Sequence, residues 1–542
     1  MKTKLLWKRI AIFFGILLIG GLPVSAQTIS VDFTNMNPHI GQKLEARLMD
    51  KKNLQEVDRT MISSITSATF SVTLDGVVGG SYWIEFYADL NGNGVYDAPP
   101  VDHAWRVNAD VILTGTNNVP FAHNTSFDEI GWKHELTLAF SDMGPHLGQM
   151  LEARLLNVNQ NMKEVSRQNI TSISATSFNL TFPGITVGNS YYLDFYADLN
   201  GNGVYDVPPT DHAWRMVLND LMGDSMVSFS HNTNFTDIDW KYLLTIDLMS
   251  MTPHLNQRLE LRVVNSENET EIGRIARTID LVDLNVLMPG VEAGVEYTVD
   301  FYADLNGNGL YDAPPSDHAW RESTTSLTGN TTISFTHNVN FTDVDWVYLL
   351  SFYAEGMTPH LGQLFEIRLV DTITDLEVGR VSMNSIQTVD FMIQVPGLEI
   401  GEAYKVDYYA DLNGNELYDM PPTDHAWRDI ITDITGDTSL IFEHNTGFTD
   451  IMWPDIGIIE NQKAGFIVYP NPFRHSIFVM NENTKVISIE MYNALGQRVN
   501  VYKNDLEDNT IEIGNLGKLP VGIYLLKLSD QNNSTIFRIV KN

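Results

Sequence analysis

Hydrophobic and polar residues alternate along most of this chain. In Leu44-Glu45-Ala46-Arg47-Leu48, and again in Phe178-Asn179-Leu180-Thr181-Phe182, every second side chain is apolar. A strand points successive side chains to opposite faces, so this period predicts half-buried β-strands. Residues 243–248 and 297–302 read the same way, as apolar, β-branched and aromatic stretches set between Gly, Asn and Pro. No segment carries a convincing helical period.

The strand pattern is itself repeated. The string DHAWR begins at Asp102, Asp211, Asp317 and Asp424, at spacings of 109, 106 and 107 residues. Each copy also has Met-x-Pro-His, beginning at Met36, Met143, Met251 and Met357. A Glu-x-Arg pair follows at Glu45/Arg47, Glu152/Arg154, Glu260/Arg262 and Glu366/Arg368. Each copy closes on a tryptophan: Trp132, Trp240, Trp346 and Trp453. The period is too long for a solenoid, where roughly 20–50 residues are usual, and fits a domain of about 100. About seven short strands per copy predict an all-β chain of four tandem Ig-like β-sandwich repeats.

The repeats are expected at residues 28–132, 133–240, 241–346 and 347–454, followed by a linker at 455–465 and a different tail at 466–542. After Trp240 the chain runs directly into the next strand without Gly or Pro, which predicts a semi-rigid string of modules. The closing tryptophans are expected at the junctions or in the module cores. The Glu-x-Arg pairs, sharing one strand face, are expected to be solvated.

Residues 1–26 read as a secretory signal peptide. Lys2, Lys4, Lys8 and Arg9 precede an apolar stretch at 10–22, and Val24-Ser25-Ala26 offers the small residues of a cleavage site. That stretch is short for a membrane span. The net charge of -34 disfavours nucleic acid and anionic lipid as partners. The chain has no cysteine, so an exported form must hold together through its cores or through metal ions.

The longest excursion between strands suggests such an ion. Asp89-Leu90-Asn91-Gly92-Asn93-Gly94-Val95-Tyr96-Asp97 offers oxygens at alternate positions, as calcium loops do, with a glycine where φ > 0 is needed. The twelfth position is Pro100, so Asp102 is the substitute ligand. The candidate calcium ligands are Asp89, Asn91, Asn93, Asp97 and Asp102 in the first copy. In the second they are Asp198, Asn200, Asn202, Asp206 and Asp211, and in the third Asp304, Asn306, Asn308, Asp312 and Asp317. The fourth has Asp411, Asn413, Asn415, Asp419 and Asp424, with Glu416 in place of the glycine, which should strain the turn. Affinity in the range of extracellular modules, roughly 0.1–1 mM, is expected. The alternative is a turn whose Asp and Asn side chains cap their own backbone.

Histidine forms a second set of columns: His39, His103 and His123; His146, His212 and His231; His254, His318 and His337; His360, His425 and His444. With the Met column these residues suit copper, or zinc through histidine alone, provided that they converge. The alternative is polar residues fixing turns. No Cys is present and no Ser or Thr recurs beside His and Asp, so the expectation is a binding or structural protein rather than an enzyme. Repetition multiplies weak binding, to a glycan or protein ligand for example.

The tail carries Tyr469-Pro470-Asn471-Pro472-Phe473, then YNALGQRV from Tyr492, LPVGIYLLKL from Leu519 and a basic end at Arg538 and Lys541. From pattern alone it is a small antiparallel sandwich. It resembles the type A C-terminal sorting domain of the type IX secretion system, found in secreted proteins of Bacteroidota. The resemblance implies passage across the outer membrane by the type IX machinery. It also implies removal of the domain, with release or attachment to surface lipopolysaccharide.

Overall fold

A computed structural model of the protein describes residues 26–110 and 112–453, and most strand residues between 462 and 541. The signal peptide reading, apart from Ala26, and the linker reading, apart from Gln462 and Lys463, fall outside the described residues. The described elements are strands and one-turn 3-10 helices.

The first repeat has seven strands, β1 (Ala26–Thr34), β2 (Leu44–Asp50), β3 (Glu56–Ile62), β4 (Phe70–Val77), β5 (Tyr82–Ala88), β6 (His103–Ala109) and β7 (Asn117–Ala122). One sheet has the order β4-β1-β7 and the other β3-β2-β5-β6. All pairs are antiparallel except β1 with β7, which run parallel in register from Ile29↔Asn117 to Thr34↔Ala122. The next three repeats each form the same three-stranded and four-stranded sheets.

Period two decides what the sheets enclose. Ile29, Val31 and Phe33 of β1 face Leu44, Ala46, Leu48, Ile84 and Phe86 of the other sheet, all with no exposed surface. Phe33 meets Phe86 edge-on at 4.9 Å between ring centroids. Sheets that bury an alternating face against each other make a sandwich core.

The Glu-x-Arg pairs differ from the expectation: all of their residues are buried except Glu366, which is half-buried. Glu45 and Arg47 keep 2% and 5% of their surface, and Glu152 and Arg154 keep 2% and 3%. Strand β2 is central, and the closing segment of its own module covers its outer face. Arg47 and its cross-strand partner Arg59 both lie against the ring of Trp132, at 4.8 and 4.7 Å. Arg154 and Arg167 do so on Trp240, Arg262 and Arg274 on Trp346, and Arg368 and Arg380 on Trp453. The guanidinium of Arg47 also donates to Glu85 and to the Ile130 carbonyl. A polar residue can therefore sit on a covered face when its charge is paired and its stem packs on an aromatic ring.

The repeats up to Trp346 form one compact unit. Arg277 of the third repeat donates to the carbonyls of Lys51 and Lys52 in the first. Within the second unit, residues 347–542, the fourth repeat is a sandwich like the others. The tail is a separate small sandwich with a core of Val468, Val479, Met491, Ile513, Leu526, Phe537 and Ile539. The turns of its YPNPF and YNALGQRV motifs fall outside the described residues.

Candidate metal centres

The Asp/Asn loop joins β5 to β6 and is closed by its own hydrogen bonds. Asp89 accepts from the Gly92 and Gly94 N–H groups at 2.7 and 2.9 Å. Asp102 accepts from Leu90 and Asp97 N–H at 2.9 and 2.8 Å. Asn91 and Asn93 both donate their side-chain amides to Asp97 Oδ2 at 2.8 Å, while their own oxygens accept from Asn93 and Val95 N–H. Asp97 thus gathers Asn91 and Asn93 around one oxygen, whereas Asp89 and Asp102 hold the two ends of the loop. The same set recurs at Asp198, Asn200, Asn202, Asp206 and Asp211. It recurs at Asp304, Asn306, Asn308, Asp312 and Asp317. It recurs again at Asp411, Asn413, Asn415, Asp419 and Asp424.

Asp102, Asp211, Asp317 and Asp424 have no exposed surface, and burial pushes each carboxyl above its ordinary range. Glu416 takes φ +62° where Gly94, Gly203 and Gly309 take +86°, +80° and +80°. Its N–H still reaches Asp411 at 2.7 Å, so the loop keeps its bond at the cost of a left-handed residue, about 1–2 kcal/mol.

The loop also ties modules together. A Cβ on Gly223 of the second repeat would lie 3.8 Å from Val95 Cγ1, and one on Gly329 of the third would lie 3.1 Å from Val204 Cγ1. Val204 and Tyr205 pack on a core that continues from Tyr196 and Trp240 of the second repeat into the third, and Tyr205 N–H donates to the Tyr242 hydroxyl at 3.2 Å. Asn330 donates its amide to Glu152 at 2.9 Å.

The three histidines of each repeat converge. His39 lies on the one-turn helix Asn37–His39 after β1, His103 opens β6, and His123 follows β7. The parallel pairing of β1 with β7 brings two of these segments to one end of the sandwich, and β6 approaches from the other sheet. His39 Nε2 is 3.4 Å from His103 Nδ1. In the third repeat His254 Nε2 is 3.3 Å from His318 Nδ1 and 3.2 Å from His337 Nε2. The fourth repeats this at 3.3 Å to His425 and 3.2 Å to His444. In the first, second and fourth repeats one nitrogen from each of the three rings lies within 4.8 Å of the others.

Sequence reasoning missed the residues that orient these rings. His39 Nδ1 meets Gln42 Oε1 at 2.7 Å, and Gln149, Gln257 and Gln363 do the same for His146, His254 and His360. An amide oxygen can only accept, so Nδ1 carries the proton and Nε2 presents a lone pair inward. Phe127 stacks on His103 at 4.0 Å, as do Phe235, Phe341 and Phe448 on their counterparts. The signal was present as His-x-x-Gln and as a Phe four residues after the third histidine in every copy. The Met column, by contrast, is core: Met36, Met143, Met251 and Met357 have no exposed surface.

Burial is the first cause that holds His39 and His103 below the ordinary imidazole pKa. The same holds for His146, His212, His254, His318, His360 and His425. A lowered imidazole pKa means that these histidines bind fewer protons in the fold than in the unfolded chain, so their contribution to stability rises with pH, against the opposite contribution of the raised carboxyls of Asp102, Asp211, Asp317 and Asp424. The histidine contribution is lost as pH falls below the unfolded value of about 6.5. In chelator, the urea midpoint is expected to be lower at pH 5.5 than at pH 7.5. The raised carboxyls are common to wild type and to a His39→Ala, His146→Ala, His254→Ala and His360→Ala variant, so a drop that is no smaller in the variant contradicts this burial effect.

Comparison with known proteins bears mainly on the tail. Residues 467–542 match the family model of the secretion system C-terminal sorting domain. A stretch of 67 residues, 12% of this chain, is 31% identical to an endo-acting ulvan lyase of Formosa agariphila and covers 13% of that protein. Among solved structures, the TIE protein of Bacillus anthracis is similar at 10% identity over 79% of this chain and 75% of its own, with a TM-score of 0.14. A streptococcal ancillary pilin is similar at 11% identity over 58% of this chain and 99% of its own, with a TM-score of 0.14. The sorting domain makes this an exported protein, secreted or held at the outer cell surface, and its tail a partner of the type IX machinery.

Proposed function

We propose that this protein is a non-catalytic extracellular scaffold. Four sandwich modules present a repeated surface to a glycan or protein ligand, with calcium in the Asp/Asn loops stiffening the array. One observation carries this reading: each loop in the first two repeats reaches into the next repeat through Val95 or Val204. An ion that orders the loop therefore also orders the junction. The buried carboxyls of Asp102, Asp211, Asp317 and Asp424 favour a cation, because a charge brought near would offset their desolvation. Removal of the sorting domain with attachment to surface lipopolysaccharide belongs to the same reading.

The test is calcium add-back to the EDTA-stripped full chain. Calcium at millimolar concentration is expected to raise the melting temperature and to narrow the conformational spread seen by small-angle scattering. Val204→Asp is expected to abolish the scattering response at that junction. Melting and scattering that ignore calcium would sink the calcium reading, and a stiff array in Val204→Asp would sink the interlock.

A further inference from the structure

We propose that each module binds one divalent first-row transition cation, zinc(II) or copper(II), through His39, His103 and His123 in the first repeat and their counterparts in the others. This site is separate from the Asp/Asn loop and uses different atoms. Two nitrogens bound at about 2.0–2.1 Å to a tetrahedral ion lie roughly 3.3–3.4 Å apart. The nearest ring nitrogens in these centres are 3.2 to 3.4 Å apart. The separation is that of two ligands sharing an ion.

Protonation supports the same assignment. Gln42 fixes the Nδ1 proton of His39, so His39 Nε2 has no proton to give to its neighbours. His103 Nδ1 can donate to it, but in the first two repeats the third ring then has nothing to bind: His123 Nε2 and His231 Nε2 are buried without a hydrogen-bond partner. A buried polar atom without a partner is costly. A cation at the centre satisfies all three lone pairs together. A hydrogen-bonded carboxamide behind a metal-binding histidine does the work of an outer-shell partner, setting the tautomer and the ring angle.

The donor set selects the ion. Three neutral imidazoles suit zinc and copper, whereas calcium and magnesium require oxygen. Among the described residues no fourth His, Cys, Asp or Glu joins the group. The fourth position is therefore left to water or an external donor, as in open zinc sites. The ion would join the helical turn after β1, the residue after β7 and the first residue of β6, and so tie both sheets at one end. In a chain without cysteine it takes the place of a cross-sheet disulfide.

The experiment uses the tag-free full chain, stripped with EDTA, dialysed against zinc chloride or copper(II) sulfate, and analysed by mass spectrometry of the elements. Four ions per chain are expected, and the cation retained identifies the metal. His39→Ala is expected to remove one ion, and the combined His39→Ala, His146→Ala, His254→Ala and His360→Ala variant all four. Gln42→Leu keeps all three ligands and is expected to weaken the first site on the order of 10–100-fold. Near-UV circular dichroism matching wild type establishes that the variants fold. In the copper arm, nitrogen hyperfine splitting from the imidazoles is expected in the electron paramagnetic resonance spectrum. Wild type that retains neither metal, or a folded fourfold variant that retains as much as wild type, overturns the proposal. Calcium retained alone overturns it while leaving the loop reading intact.

Discussion

Asp194→Leu is expected to destabilise the second repeat by about 3–5 kcal/mol, the scale of breaking a buried ion pair. Asp194 has no exposed surface and lies between two arginines. Arg215 donates to it twice, at 2.7 and 2.8 Å, and Arg154 reaches it at 3.2 Å. The consequences for the two arginines differ. Arg215 keeps 29% of its side-chain surface and can turn to water, whereas Arg154 keeps 4%. Arg154 would remain under Trp240 without a carboxylate to donate to, its charge shared by the Ile238 and Asp239 carbonyls and offset by the nearby Glu164. Adding Arg154→Met removes the stranded charge, so the double variant is expected to recover most of the loss. Urea unfolding resolves the two, since the midpoint shifts while the slope holds if only stability has changed. A single variant within about 1 kcal/mol of wild type would show that the pair contributes little.

Trp105→Ala is expected to cost the first repeat about 3–5 kcal/mol, the range for removing a large aromatic from a core. Trp105 keeps 2% of its surface and packs against Phe86, Phe121 and Phe127. Its indole N–H donates to the Asn124 carbonyl at 3.2 Å, so the deletion also leaves that acceptor without its partner. The same ring walls the histidine centre, 5.6 Å from His39 and 5.7 Å from His123. The variant is therefore expected to lower the first melting transition and to lose the metal of the first repeat alone. Intact uptake with a normal melting temperature would mean that the wall is dispensable.

The arginine clusters show where sequence reading reaches its limit. Alternation placed Glu45 and Arg47 correctly on one face of β2 and opposite to Leu44, Ala46 and Leu48. It then took the polar face for the wet one. In a four-stranded sheet whose outer side is covered by the closing segment with Trp132, both faces of the central strand are dry. Nothing local to β2 records that, because the covering residue lies 85 positions away.

By itself the sequence determined the class of fold, the fourfold repetition and the delivery signal. Each rests on short-range information: a period of two, a string repeated at near-constant spacing, and a contiguous tail. It also determined which columns carry oxygen and which carry imidazole. Only the tertiary structure decided which of those columns meet. His39, His103 and His123 are 64 and 20 residues apart in the chain. What joins them is the parallel pairing of β1 with β7 and the approach of β6 from the opposite sheet. Strand pairing acts between residues distant in sequence, so convergence of side chains at a sheet end is a property of the register and is not written in any one segment.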